Sequence, residues 1–205
     1  MINYENGLLT IEEDADKVKV SNGEWYYFCG LNGKTVLPLP YGDGTYSVIT
    51  FRKISANTYR ALKNRRVVAK GTGAYLLRAN LYVPYTPAWD QARELVGTQM
   101  GLPAYKIVKS WVKRHIIYDC VKAVKVSKNG DLPDPLGCFM NKRGICQDIA
   151  SLATGMLRAV GIKARLVIGY ADRQYHAWTE ASIDGKMYRF DPCGQADTYV
   201  RERWY

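Results

Sequence analysis

The sequence predicts an α+β protein, in which a small antiparallel β-unit precedes a mixed domain of helices and antiparallel strands. Residues 1–75 are rich in β-forming residues and show no long helical period. From about Tyr85 onward, helical periods are followed by further strand signals. The 205 residues, 47% of them hydrophobic, suit one large domain or two small ones. We therefore expect a β-rich unit over 1–75 and a second domain over 76–205.

The N-terminal unit is predicted to be sandwich-like, with turn signals such as Asn22-Gly23 between its strands. Its many aromatic residues favour core and cross-strand pairs over a ligand platform. Its role is open between recognising a substrate, gating a cleft and covering hydrophobic surface. We expect strands near Leu8–Ile11, Lys17–Val20, Trp25–Phe28, Tyr46–Phe51 and Tyr59–Lys70.

Two amphipathic helices are predicted after Tyr85. Thr86 is a suitable N-cap with Pro87 at the first helical position, and Gly101 is expected to end the first helix. The second helix is expected from about Pro103 and carries His115 on its apolar stripe.

The clearest helix begins near Cys146. Apolar residues recur at helical spacing from Ile149 to Val160, and Gly161 is expected to end the helix. Cys146 lies three residues before Ile149, so helical spacing places it on the inward face of the first turn. A helix N-terminus stabilises a thiolate and offers unpaired N–H groups to an oxyanion. The alternative is that Cys146 is an inert, small buried residue.

A β-hairpin supplies partners for this thiol. If Asp184-Gly185 is a two-residue turn, the positions of paired residues sum to 369, so His176 faces Cys193. Asp191 then lies on the same sheet face as His176, and such diagonal neighbours are within side-chain reach.

A helix-borne thiol, an imidazole and a neighbouring carboxylate can act as nucleophile, base and orienter. Cys146, His176 and Asp191 are therefore the predicted catalytic residues. The other histidine, His115, is expected to have a packed structural role.

Four motifs of the sequence closely resemble those of the bacterial transglutaminase-like superfamily and occur in the same order. They are a G-x-C-x-[DE] helix start, an L-R-x-x-G-I-x-[AT]-R link, an H-A-W-x-E strand and a D-P pair. The resemblance covers roughly residues 85–195. In this chain the motifs are carried by Gly144–Ala150, Leu157–Arg165, Tyr175–Glu180 and Arg189–Pro192.

The resemblance implies a papain-like core with Cys146 as nucleophile, His176 as general base and acid, and Asp191 orienting the imidazole. The implied reaction is attack on an amide carbonyl through an acyl-thioester, with no metal or organic cofactor. Hydrolysis, as in a peptidase or amidohydrolase, is the simpler expectation. The alternatives are transglutaminase-type acyl transfer to an amine, with protein crosslinking, and a non-catalytic binding module of the same fold.

The chain departs from the family pattern at two positions. Ile149 stands where members often have an aromatic residue, and Thr179 stands where many have Asn. Both departures bear on the pocket rather than on the triad. The oxyanion donor is open between the N–H of Cys146 and the hydroxyl of Tyr118, which is expected at the end of a helix. Asp148 is expected to place negative charge in the first helical turn rather than to act in catalysis.

The remaining cysteines leave several alternatives open. Cys138 and Cys193 are both expected near the site, as a disulfide, as a redox-sensitive thiol or without a role. A metal cluster that includes Cys146 and His176 is disfavoured, because it would consume the nucleophile and the base. The redox states of Cys29, Cys120, Cys138 and Cys193 stay open.

Charge and hydropathy give the remaining expectations. The net charge of +10 favours acidic or anionic partners, and we expect a protein or peptide substrate. No nucleic-acid recognition motif accompanies the basic residues, so specific nucleic-acid binding is not expected. No apolar run has the length of a membrane helix, and no signal peptide is visible. A complete chain would then be cytoplasmic, whereas one trimmed from a longer protein would suit secretion or the cell surface. Oligomeric state is open.

Overall fold

The computed structural model describes residues 1–125, 132–194 and 196–205. The chain divides into two compact units, Met1–Tyr75 and Leu76–Tyr205. Within the described residues, no helix combines the length and the apolar composition needed to span a membrane.

The N-terminal unit consists of two antiparallel sheets, with strand orders β1-β2-β5 and β4-β3-β6-β7. The predicted strands are present, with somewhat different ends, and the first and fifth strands were not predicted. The 3₁₀ helix Thr72–Leu77 follows the last strand. The strands are β1 Ile2–Glu5, β2 Leu8–Ile11, β3 Lys17–Ser21, β4 Tyr26–Gly30, β5 Thr35–Pro38, β6 Gly44–Ser55 and β7 Thr58–Ala69.

Buried apolar residues alternate with more exposed residues along the strands, and the buried residues form the core of this unit. In β3, Val18 and Val20 are fully buried, whereas Lys17 and Lys19 point to the other face. The Tyr27 hydroxyl of β4 donates a hydrogen bond to the carbonyl of Pro38 in β5, at 2.7 Å. This bond links the two sheets, in agreement with the predicted sandwich-like arrangement.

The described residues of the second unit form five α-helices, a four-stranded antiparallel sheet of order β12-β11-β10-β13 and a short parallel pair, β8-β9. The fold is therefore α+β, as predicted. The elements are α1 Ala88–Val96, α2 Gly101–His115, β8 Ile117–Tyr118, α3 Cys120–Lys125, α4 Pro135–Asn141, β9 Arg143–Gly144, α5 Cys146–Ala159, β10 Lys163–Ala171, β11 Gln174–Ile183, β12 Lys186–Phe190 and β13 Tyr199–Trp204.

The ends of the first two helices differ from the prediction. Pro87, rather than Thr86, occupies the N-cap position of α1, and no side chain caps this end. The helix ends at Gly97, not at Gly101, because Gly97 takes a φ of +56° and donates its N–H to the carbonyl of Arg93. Gly101 begins α2 instead.

Helix α5 is the centre of the second unit. It packs against α1, α2 and strands β10 and β11. Met156 and Leu157 on its apolar face are fully buried. Gly161, with a φ of +76°, follows its C-terminus as predicted.

The hairpin formed by β11 and β12 has the predicted register. Ile183 pairs with Lys186 and Thr179 pairs with Phe190, so paired positions sum to 369. Asp184 and Gly185 take φ values of +50° and +75°, which are typical of a type I′ two-residue turn. The ladder ends at Phe190, one residue before Asp191.

Candidate active site

Cys146 is the first residue of α5 and is partly buried. The approach to the helix is tight at Gly144, because a Cβ there would lie 2.8 Å from the Cys138 sulfur. The predicted position of Cys146 at the helix N-terminus is confirmed. The first N–H groups of α5 thus lie beside the thiol.

Asp148 fixes the backbone around this helix start. Its carboxylate is fully buried and accepts hydrogen bonds from the Ile145 N–H at 3.1 Å and the Asp134 N–H at 2.8 Å. It also forms an ion pair with the ammonium group of Lys122 at 2.6 Å. Asp148 therefore joins α3, the start of α4 and the segment before Cys146, in addition to its favourable charge placement.

His176 and Asp191 are in direct contact. The Nε2 atom of His176 lies 2.9 Å from Oδ2 of Asp191, and the two side chains are only 17% and 5% exposed. The contact predicted from the hairpin register is present. Because Nε2 is engaged by the carboxylate, Nδ1 is the ring nitrogen left for another partner.

The second partner of the imidazole is Cys146. Burial lowers the pKa of His176, but hydrogen bonds to Asp191 and Cys146 outweigh burial and raise the pKa to about 9. Burial of Asp191 raises its pKa, yet the hydrogen bonds from His176 and its other donors bring the value below the ordinary one. The imidazole is thus favoured in its protonated form at neutral pH.

Tyr199 also binds the carboxylate, although no sequence motif marks this residue. Its hydroxyl donates to Oδ2 of Asp191 at 2.9 Å, while the Cys193 N–H donates to Oδ1 at 2.9 Å. Alternating residues from Tyr199 to Trp204 are a weak strand signal. No local pattern indicates that this strand pairs with β10.

An ion-pair network is centred on Glu180, which lies on the same strand as His176. Glu180 is 3% exposed and accepts hydrogen bonds from Arg165, Arg201 and the indole N–H of Trp178. Trp178 is fully buried, and its ring contacts the Tyr199 ring edge-on at a centroid distance of 5.0 Å. Trp178 therefore packs in the structure and joins the Glu180 network to Tyr199.

Tyr118 lies beside the segment that precedes Cys146, but not at a helix end as expected. Helix α2 ends at His115, and Tyr118 pairs with Gly144 in the parallel β8-β9 pair. Burial and the nearby thiol of Cys146 raise the pKa of Tyr118 to about 12. The phenol therefore keeps its proton at neutral pH.

The five cysteines, all within the described residues, are free thiols. Burial raises the pKa of Cys138 to about 12, and burial together with Cys146 raises the pKa of Cys193 strongly. Cys193, His176 and Asp191 each bring one ligand atom within 4.8 Å of the others. A metal bound there would compete with the hydrogen bond between His176 and Asp191.

The other histidine is engaged within its own helix. Nδ1 of His115 lies 2.8 Å from the carbonyl oxygen of Trp111, and the two rings stack at 4.8 Å. The side chain is exposed at the end of α2 rather than buried in its apolar stripe.

A model of the core of the transglutaminase-like superfamily matches residues 90–192. This range is half of the chain and contains Cys146, His176 and Asp191. The chain belongs to the transglutaminase-like superfamily. A search of curated proteins found no significant match.

Solved structures are similar to this chain at low sequence identity, and the first of them, with a TM-score above 0.5, shares its fold. A protein from Cytophaga hutchinsonii named "Putative Cysteine Protease" is 16% identical, with a TM-score of 0.55, over 97% of this chain and 79% of that one. The periplasmic domain of TgpA from Pseudomonas aeruginosa, bound to ethylmercury, is 15% identical, with a TM-score of 0.47, over 91% and 92% of the two chains. Red sea bream transglutaminase is 10% identical, with a TM-score of 0.43, over 92% and 48%.

Proposed function

We propose that this chain is a cysteine enzyme that attacks an amide carbonyl through Cys146, His176 and Asp191, as a peptidase or amidohydrolase. The observation that carries the proposal is the His176 imidazole, which is hydrogen-bonded to Asp191 through Nε2 and also to Cys146. A nucleophile, a base and an orienting carboxylate in contact are the components that acyl transfer requires.

The acylation step uses the proton that His176 holds. The Cys146 thiolate attacks the carbonyl carbon and forms a tetrahedral intermediate. The intermediate collapses to an acyl-thioester as the carbon–nitrogen bond breaks, and the imidazolium gives its proton to the leaving amine. A pKa of about 9 for His176 keeps this proton available at neutral pH.

The developing oxyanion needs donors near the first turn of α5. The backbone N–H of Cys146 is one proposed donor and the hydroxyl of Tyr118 is the other. The pairing of Tyr118 with Gly144 and its raised pKa support the second donor, since the phenol stays protonated.

Deacylation reverses the proton transfer. Neutral His176 takes a proton from water, which attacks the thioester carbonyl, and the carboxylic acid leaves as Cys146 is regenerated. An amine in place of water would give a new amide. We propose a protein or peptide substrate, and the net charge of +10 supports an acidic one.

The first test is the alkylation rate of Cys146 against pH, followed site by site by mass spectrometry. The exposed Cys120 is the internal control. A free thiol has a pKa of about 8.5. We expect Cys146 to react fast at a pH well below this value and to lose this advantage in His176→Ala. Equal labelling of Cys146 and Cys120, unchanged by the substitution, would contradict an activated Cys–His pair.

The second test separates the reaction outcomes. Acidic and neutral peptides are incubated with the protein, with and without a primary amine, and the products are weighed by mass spectrometry. Hydrolysis adds water across the amide bond and releases the leaving amine or ammonia, whereas transamidation exchanges that leaving group for the added amine, so the two products differ in mass. Cys146→Ser is expected to give neither product. A reactive Cys146 without turnover of any peptide would favour the non-catalytic binding module.

A further inference from the structure

The hydroxyl of Tyr199 is hydrogen-bonded to the carboxylate of Asp191. Its oxygen lies 2.9 Å from Oδ2 of Asp191, the same atom that contacts His176 at 2.9 Å. The remaining oxygen, Oδ1, accepts the N–H of Cys193. The carboxylate is thus held by three donors, and two of them share one oxygen.

The sheet brings Tyr199 to this position. Strand β13 pairs with β10 so that Tyr199 lies opposite Ala171 and Arg201 lies opposite Gly169, while Gly169 also pairs with His176. Tyr199, Arg201 and His176 therefore share one sheet face. A Cβ at Gly169 would lie 2.1 Å from the Val200 carbonyl oxygen, so glycine permits β13 to approach this closely.

The ring of Tyr199 is fixed from two sides. Trp178 contacts it edge-on at 5.0 Å, and the Arg189 guanidinium lies 3.9 Å from its centroid. Trp178 is held in turn by the hydrogen bond from its indole N–H to Glu180. The tyrosine oxygen also accepts the N–H of Ala196 at 3.1 Å, which orients the hydroxyl.

A continuous set of contacts thus leads from the buried Glu180 to the imidazole. Two members of the H-A-W-x-E motif, Trp178 and Glu180, have no part in the proposed chemical steps. Their contacts give them a role, because they support the ring that holds the triad carboxylate.

We propose that Tyr199 is a positioning residue, which fixes Asp191 through its hydroxyl and thereby orients His176 toward Cys146. The proposal rests on the proposed function of the same site. A neutral phenol adds no charge to the site, so its effect is to restrict the carboxylate to the rotamer that meets Nε2 of His176. The hydrogen bond joins a hydroxyl to a charged acceptor, the stronger kind of hydrogen bond in proteins.

The test is the substitution Tyr199→Phe, which removes the hydroxyl and keeps the aromatic ring. The matched control is Tyr170→Phe, since Tyr170 lies in β10 of the same sheet and its ring packs edge-on against Tyr175 at a centroid distance of 5.7 Å. Thermal unfolding of both variants establishes that each is folded. The readouts are the alkylation rate of Cys146 against pH and the pKa of His176 from imidazole NMR, which is tractable because the chain has 2 histidines.

We expect Tyr199→Phe to lower the alkylation rate of Cys146 at pH 7 about tenfold, the usual effect of a lost hydrogen bond to a charged group. We also expect the pKa of His176 to fall toward 6.5, because a carboxylate that rotates freely stabilises the imidazolium less. Tyr170→Phe is expected to change neither quantity.

Two outcomes would overturn the proposal. An unchanged pKa of His176 in the folded Tyr199→Phe protein would reduce Tyr199 to a packing role. A rise in this pKa would show that the hydroxyl only weakens the attraction between the Asp191 carboxylate and the imidazolium. The hydroxyl would then not position the carboxylate. Failure of the proposed function is distinguishable, since Cys146 would then be alkylated no faster than the exposed Cys120 in the unsubstituted protein.

Discussion

The part of the chain that the structure describes contains two four-stranded antiparallel sheets, and the faces of these sheets are buried differently. In the N-terminal sheet, β3 and β4 alternate between buried apolar residues and more exposed residues such as Lys19 and Phe28. In the second sheet, residues Ala177–Ala181 of β11 are buried on both faces. One face packs on α5, and the other carries His176, Trp178 and Glu180.

This difference explains where the candidate active site lies. A polar side chain on the exposed face of a sheet satisfies its hydrogen bonds with water, so its neighbours are weakly specified. A polar side chain on a buried face must find protein partners, because an unpaired buried group is costly. The buried face of β11 therefore fixes His176 through Asp191 and Glu180 through two arginines.

The largest expected effect is the loss of a buried charge. In Glu180→Ala, Arg165 and Arg201 lose the carboxylate that they share, and we expect a loss of about 3 kcal/mol in the free energy of unfolding. The matched substitution is Glu12→Ala in the N-terminal unit. Glu12 pairs with Lys34 at 3.2 Å, but the two side chains are 41% and 66% exposed, so the cost should stay below about 1 kcal/mol.

Urea unfolding, followed by hydrogen exchange in β2 and in β11, measures both substitutions. Equal losses for Glu180→Ala and Glu12→Ala would remove the contrast between the buried and exposed faces.

A smaller effect is expected for Leu37→Ala in β5. Leu37 is fully buried in the N-terminal unit, so the cavity should cost about 2–3 kcal/mol. The alkylation rate of Cys146 at pH 7 should be unchanged, because the hydrogen bonds of the site lie within the second unit. A fall in this rate would show that the reactivity of Cys146 depends on the N-terminal unit.

The smallest effect is the pH dependence of stability. The pKa of His176 is raised in the folded state to about 9, so its contribution is complete below about 6.5, the unfolded value. This contribution is lost as the pH rises through about 9, and we expect a loss on the order of 1–3 kcal/mol. The lowered pKa of Asp191 acts in the opposite range, where stability falls as the pH drops below about 4.

Urea midpoints between pH 6 and pH 9.5 test this linkage, with His176→Gln as the control. The substituted protein should have a flatter profile over this range. Parallel profiles for the two proteins would mean that His176 is not stabilised as an imidazolium.

The sequence predicted those parts of the molecule that short-range patterns specify. The period from Ile149 to Val160 located α5 and put Cys146 at its start. The turn residues Asp184 and Gly185 fixed the hairpin register and hence the contact between His176 and Asp191. Each of these inferences depends on a helical period or a two-residue strand period, which can be read directly from the order of residues along the chain.

Several parts of the site required the tertiary structure. Tyr118 lies beside Cys146 because β8 pairs with β9 across 26 residues, and Tyr199 reaches Asp191 because β13 pairs with β10. No local period encodes the pairing of strands so distant along the chain, since it depends on which surfaces become buried together. The sequence by itself determined the position of Cys146 and the contact of His176 with Asp191, whereas the tertiary structure decided which side chains hold them in place.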